Sequence, residues 1–63
     1  MAKYHCYVLD SEGHVSRRHD VELRTDAEAL KKATEIAEPL EDYSAIEVWR
    51  GNRIVGRVPR PAV

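Results

Sequence analysis

Apolar and polar residues alternate in the first part of the chain, in the pattern of a β-hairpin. One face of a first strand carries Tyr4, Cys6 and Val8, and one face of a second carries Val15, Val21 and Leu23. The residues between them, Asp10 to Gly13, are those that tight turns favour. We expect the two apolar sets to share one face of a sheet. Because Arg17 and His19 have the same parity as Val15, the second strand is predicted to lie at a sheet edge or to contain a bulge.

A helix is predicted to follow, with a start signal, an apolar stripe and a stop signal. Thr25 and Glu28 have the spacing of a capping box, and Asp26 adds negative charge where the helix dipole favours it. Pro39 removes a backbone donor and disfavours helical geometry at Glu38, so we expect the helix to end there. The stripe that repeats at helical spacing consists of Ala29, Leu30, Ala33, Ile36, Ala37 and Leu40.

A second hairpin is predicted near the end of the chain, over residues 45–50 and 53–58. Gly51 and Asn52 both tolerate the positive φ angles of two-residue hairpin loops. This loop pairs Trp49 with Ile54 and Val48 with Val55. The predicted faces are then Ile46, Val48 and Val55 on one side, and Trp49, Ile54 and Val58 on the other.

These elements predict an α+β domain of ββαββ topology over residues 1–58, followed by a Pro-containing, frayed tail over residues 59–63. If the third strand lies beside the first, the sheet is antiparallel with strand order 2-1-3-4. One helix covers one face of this sheet. The other face, which carries Tyr7, Trp49 and Ile54, has no predicted element to cover it.

Length and composition restrict the class of protein. At 63 residues, the chain is close to the lower size limit for a fold held by an apolar core alone. Its single cysteine, Cys6, excludes an intramolecular disulfide. No apolar run approaches the ~20 residues of a membrane span, and the first residues lack the apolar core of a signal peptide. We therefore expect a cytoplasmic protein without a membrane partner, and its brevity favours a bacterial source.

Candidate catalytic and metal-binding groups are sparse. Cys6 and His19 are near neighbours in the predicted first hairpin, but a nucleophilic pair also needs an orienting group and a pocket. His5 and His14 complete the set of histidines, whose spacing matches no common zinc motif. No glycine-rich phosphate loop is present. We expect no catalytic residue, no cofactor and no metal, and hence no enzyme.

Basic residues near an aromatic residue raise the alternative of nucleic-acid binding. The last hairpin places Arg50, Arg53 and Arg57 close to Trp49, and aromatic and basic side chains on an open sheet stack bases and neutralise phosphates. The net charge of −1 is unlike that of most nucleic-acid-binding domains. Nucleic-acid binding is therefore the alternative rather than the main prediction.

The chain shows two resemblances, the first over nearly its whole length and the second over the first hairpin and the start of the helix. The opening Tyr4 to Val15, the helix start Thr25 to Ala33 and the segment Ile46 to Arg53 together resemble a group of small uncharacterised bacterial proteins, which implies the fold and no activity. The hairpin followed by the Thr25 to Ala33 pattern also resembles the HicB-like antitoxin domain. That resemblance implies a small toxin as the partner.

The main functional prediction is an interaction module that forms a homodimer through the uncovered sheet face, with an unidentified protein as the other possible partner. Large apolar patches on a sheet face mark partner surfaces. The predicted interface consists of Tyr7, Trp49 and Ile54, rimmed by Arg50 and Arg53, which are residue types that dominate binding energy at interfaces. The competing interpretation is that Trp49 belongs to the core.

Overall fold

The computed structural model describes residues 1–61. It contains β1 (Ala2–Leu9), β2 (Val15–Leu23), α1 (Asp26–Ala37), β3 (Ala45–Arg50) and β4 (Arg53–Pro59). The strands form one antiparallel sheet in the order β2-β1-β3-β4, and α1 packs on one face of it. The predicted α+β fold of ββαββ topology is confirmed, including its strand order.

The first hairpin turns at Asp10 and contains a bulge in β2. The Asp10 carboxylate accepts hydrogen bonds from the backbone N–H groups of Glu12 and His14, both at 2.9 Å, and Gly13 supplies a φ of +85°. Val8 pairs with Arg17 but Leu9 pairs with Val15, so Ser16 is the extra residue. The bulge reverses the side-chain parity. Val21 shares the face of Tyr4 as predicted, whereas the same prediction for Val15 is wrong.

Helix α1 begins with the predicted capping box. The backbone N–H of Glu28 donates to the Thr25 hydroxyl at 3.1 Å, and the Glu28 carboxylate accepts from the backbone N–H of Thr25 at 3.1 Å. Regular helical structure ends at Ala37, just before Pro39, which lacks a backbone donor. The C-cap Glu38 keeps helical backbone angles, φ −50° and ψ −48°, so the expectation that Pro39 disfavours helical geometry there is wrong. The local signals in the sequence therefore account for both ends of the helix.

The second hairpin contains another bulge, which changes the predicted pairing. Trp49 pairs with Ile54 as predicted, but Val48 pairs with Gly56, leaving Val55 as the extra residue. The prediction that Val48 pairs with Val55 is wrong. Because of this shift Val58 pairs with Ile46 and packs against the core, so its predicted place beside Trp49 is also wrong.

The core lies between the sheet and the small residues of α1. Its buried members are Tyr4, Cys6, Val8, Ala29, Ala33, Ala37, Tyr43, Ile46 and Val48. The alanines let the helix approach the sheet closely. Leu30 of α1 packs over Gly56 of β4, where an added Cβ would lie 2.8 Å from Cδ2 of Leu30. A side chain at this position would therefore force the end of the Leu30 side chain to move.

The last described residues continue the sheet rather than fray. Pro59 pairs with Ala45 in the ladder, and the backbone N–H of Arg60 donates to the Ser44 carbonyl at 2.9 Å. Proline is tolerated here because β4 lies at an edge of the sheet. The strand thus ends one residue later than predicted. Residues 62 and 63 of the predicted tail lie outside the described residues.

Candidate functional site

The candidate site is the sheet face opposite α1, which we call the open face. Cross-strand pairing arranges its side chains in three rows that run from β2 through β1 and β3 to β4. The first row is Asp20, His5, Trp49 and Ile54, and the charged pair Glu22 and Lys3 lies beside it on β2 and β1. The second row is Arg18, Tyr7, Glu47 and Arg57. The third row is Val15, Leu9, Ala45 and Pro59, of which Leu9 and Ala45 are buried.

Apolar surface is exposed on this face. Tyr7 and Trp49 are half-buried, and Ile54 and Val15 are 47% and 58% exposed. A shallow depression of about 400 Å³ runs along β1 and β3, lined by Tyr7, Val15, Glu47, Trp49, Gly51 and Asn52. Among residues 1–61, no helix or further strand packs over this face. The structure thus brings three of the five predicted interface residues, Tyr7, Trp49 and Ile54, onto one face.

A charged cluster occupies the β2 side of the open face. The Arg18 guanidinium donates two hydrogen bonds to the Asp20 carboxylate, at 2.9 and 3.1 Å. Nδ1 of His5 lies 2.8 Å from Oδ1 of the same carboxylate. The hydrogen bonds from Arg18, and then the contact with His5, hold the pKa of Asp20 well below its usual range. Asp20 is therefore a fixed negative charge at neutral pH.

Glu47 lies at the centre of the open face, between Tyr7 and Arg57 in the second row. The indole Nε1–H of Trp49 donates to its Oε1 at 3.3 Å. No side-chain nitrogen of a lysine, arginine or histidine in the described part of the chain lies within 4.0 Å of the Glu47 carboxylate. Its charge is therefore left without an ion pair among residues 1–61.

The other two predicted interface residues, Arg50 and Arg53, lie on the opposite face. The Arg50 guanidinium stands 5.9 Å from the centroid of the Tyr4 ring, and Nη2 of Arg53 donates to the Asp26 carboxylate at 3.3 Å. Side chains alternate along a strand, so Arg50 points away from the face that carries Trp49. The prediction that these arginines rim the open face is therefore wrong.

The residues that replace them on the open face were missed at the sequence level. Arg18, Asp20 and Glu47 contribute its charges, and Val15 extends its apolar area. The position of Glu47 on the open face could have been predicted, because it lies two residues from Trp49 in the same strand and side chains at that spacing share a face. Arg57 and Val15 depend on the two bulges. A bulge or an edge position was predicted for β2 without its place, and both are observed, whereas the bulge in β4 had no signal in the sequence.

Asp26 connects α1 to the sheet on the helix side. Its carboxylate accepts a hydrogen bond from the Tyr4 hydroxyl at 2.8 Å in addition to the one from Arg53. The Tyr4 hydrogen bond is the main cause that lowers the pKa of Asp26, and the same bond is the main cause that raises the pKa of Tyr4. Tyr4 is fully buried, and this arrangement gives its hydroxyl a partner.

The candidate nucleophile and metal ligands do not assemble into a reactive group. Cys6 is the cross-strand neighbour of His19, but it is fully buried, and burial raises the pKa of its thiol. Within residues 1–61, no group of three or more histidine, cysteine or acidic side chains has an arrangement that would hold a metal ion. The open face is therefore the candidate functional site of the described residues.

Comparison of the chain with protein-family models, curated proteins and solved structures finds no match. The two resemblances described from the sequence stay predictions. No helix within residues 1–61 has the length and apolar character needed to span a membrane.

Proposed function

We propose that this protein is a small, non-enzymatic interaction module that forms a homodimer through the open face. The observation that carries the proposal is the presence of Tyr7, Trp49 and Ile54 together on a sheet face that no other described element covers. Aromatic residues of this kind supply large, rigid contact areas at interfaces. An uncovered sheet face with such residues is typical of a partner surface.

The dimensions of the molecule support a second copy as the partner. The described chain measures 33 × 20 × 15 Å, so the outline of its broad side covers at most about 660 Å², toward the lower end of the ~600–1,000 Å² per partner of standard interfaces. Stacking two such sheets also buries apolar side chains from both copies. This burial stabilises a domain whose helix contributes only alanines to the fully buried core.

The charges of the open face also favour a second copy over nucleic acid. Its first two rows contain both signs, with Asp20 and Glu47 among the basic residues Arg18 and Arg57. A phosphate backbone needs a surface of one sign. Arg50 and Arg53, which the nucleic-acid interpretation requires beside Trp49, lie on the helix side.

The test is sedimentation velocity of the wild-type protein and of two variants that each add one positive charge. Ile54→Lys places a lysine on the open face, whereas Ala27→Lys places one at an exposed position of α1. We expect the wild type and Ala27→Lys to dimerise alike, and Ile54→Lys to be a folded monomer at the same concentrations. A dimer in all three proteins would overturn the proposal, because the contact would then lie elsewhere.

The alternatives predict different results. For nucleic-acid binding, Arg50→Ala and Arg53→Ala should weaken a salt-sensitive affinity for a single-stranded oligonucleotide while leaving the solution mass unchanged. For a HicB-like antitoxin or another hetero-partner module, the wild type should be monomeric at all concentrations. A monomeric wild type would therefore contradict the homodimer and direct the search to another protein.

A further inference from the structure

The charges of the open face allow one orientation of a face-to-face dimer to be chosen over others. A two-fold axis between stacked sheets lies parallel to both of them, so it runs along the strands or across them in the simplest arrangements. Sheets that pack in the aligned class cross at about 30° and lie ~10 Å apart, which keeps residues near the axis opposite one another. The residues that face each other are then determined by the observed cross-strand pairing.

Two of these arrangements bring like charges together. An axis along the strands through the middle of the sheet places β2 of one copy over β4 of the other, so Arg18 faces Arg57 in the second row. An axis across the strands through the second row places Arg18 on Arg18 and Glu47 on Glu47. Like charges in contact across an interface oppose association.

An axis that crosses the strands between the first and second rows brings opposite charges together. Each first-row residue then faces the second-row residue of the same strand in the other copy. Asp20 faces Arg18, which is the pair of opposite charges in this arrangement. The neutral indole of Trp49, which already donates to Glu47 of its own chain, faces Glu47 of the other copy. His5 faces Tyr7, and Ile54 faces the aliphatic part of Arg57. Every such contact occurs twice because the interface is isologous.

We propose that the two copies stack with their two-fold axis across the strands, between the first and second rows of the open face. This inference rests on the proposed homodimer and specifies how the partner is oriented. All four strands of each copy overlap in this arrangement, and Lys3 and Glu22, beside the first row, face Leu9 and Val15 of the third row. Arg18 and Asp20 of the two copies form a four-membered charged network, since each arginine already contacts the aspartate of its own chain.

The test is a charge-exchange experiment with Arg18→Asp and Asp20→Arg. Each variant alone places like charges opposite each other twice in the dimer, so we expect its dissociation constant to rise by roughly tenfold or more. In an equimolar mixture, opposite charges face each other again across the interface. We therefore expect a heterodimer with an affinity close to that of the wild type, measured by sedimentation equilibrium and native mass spectrometry.

The matched control is Arg17→Asp, which makes the same charge change at the neighbouring position of β2. Arg17 pairs with Val8 and lies on the helix side, so this variant should dimerise like the wild type. Circular dichroism melting of all three variants establishes that each is folded. Loss of dimer in Arg17→Asp as well would overturn the proposed orientation, because the effect would then follow net charge.

The remaining outcomes show whether the proposed orientation or the homodimer itself is wrong. Tighter association of Arg18→Asp would overturn the proposed orientation and favour an axis along the strands, where the new aspartate faces Arg57. Unchanged association of both exchange variants, together with a monomeric Ile54→Lys, would overturn the orientation and leave the open-face dimer standing. A monomeric wild type would overturn both.

Discussion

Among single residues, Asp26 makes the contacts that join the start of α1 to the sheet. It accepts hydrogen bonds from Tyr4 in β1 and from Arg53 in β4, two strands that are not neighbours. The ionised carboxylate and the neutral tyrosine are the forms that these bonds favour, as the lowered pKa of Asp26 and the raised pKa of Tyr4 indicate. The stability of the fold should therefore depend on pH at both ends of the range.

The sign of the pH dependence follows from the two pKa shifts. The contribution of Asp26 is present at neutral pH and is lost as the pH falls below 3.8, the ordinary value, and through its lower folded pKa. The contribution of Tyr4 is present below pH 10.0 and is lost as the pH rises through its higher folded pKa. We expect Tyr4→Phe to lower the free energy of unfolding at pH 7 and to flatten its fall at both extremes.

Urea unfolding at pH 3, 7 and 10.5 measures this effect, with Tyr43→Phe as the control because Tyr43 is a second buried tyrosine. The control should keep the pH dependence of the wild type. If the free energy of unfolding changes with pH equally in Tyr4→Phe and in the wild type, the Tyr4–Asp26 hydrogen bond contributes nothing to the pH dependence.

At the level of the helix and strands, the bulges in β2 and β4 separate the correct predictions from the wrong ones. The helix start at Thr25 and the turn glycines follow from local residue types, and the sequence was sufficient for them. The strand order was predicted on the condition that β3 lies beside β1, and the pairing of these strands confirms it. The parity of Arg17 and His19 predicted an edge position or a bulge in β2, and both are observed, but not that Ser16 is the extra residue. The extra residue Val55 in β4 had no such signal, because a bulge depends on how two strands pack. Each bulge moves a valine to the other face, which is why Val15 and Val58 were misplaced.

The same limit applies to the candidate site. Three apolar members of the open face were predicted from alternation alone, whereas the charges that face one another across strands depend on register. Arg57 reaches the second row only because Val55 is skipped in the pairing. Arg50 was assigned by its nearness to Trp49 in sequence, which places neighbouring side chains on opposite faces.

The packing of α1 on β4 is predicted to depend on the absence of a side chain at Gly56. A Cβ there would lie 2.8 Å from Leu30, so Gly56→Val overfills the space between the helix and the strand. We expect a loss of about 1–3 kcal/mol in the free energy of unfolding, the usual cost of overpacking. Combining Gly56→Val with Leu30→Ala should cost less than the sum of the two single changes, as thermal and urea unfolding would measure. Strictly additive effects of the two changes would contradict close packing at this point.

The molecule as a whole is one helix on one sheet, and only one face of that sheet is covered within the described residues. The half-buried Trp49 lies on the open face rather than in the core, which answers the competing interpretation of its position. We therefore propose that a second copy covers the open face, which no element of the described residues covers.

The homodimer is tested first by the solution mass of the wild-type protein, measured by light scattering over a dilution series. We predict about 14 kDa, twice the chain mass of 7.2 kDa, at high concentration, with dissociation to the single-chain mass on dilution. High salt should weaken the dimer without abolishing it, because apolar and charged contacts both contribute. A mass of 7.2 kDa at every concentration, in low and high salt alike, would contradict the homodimer.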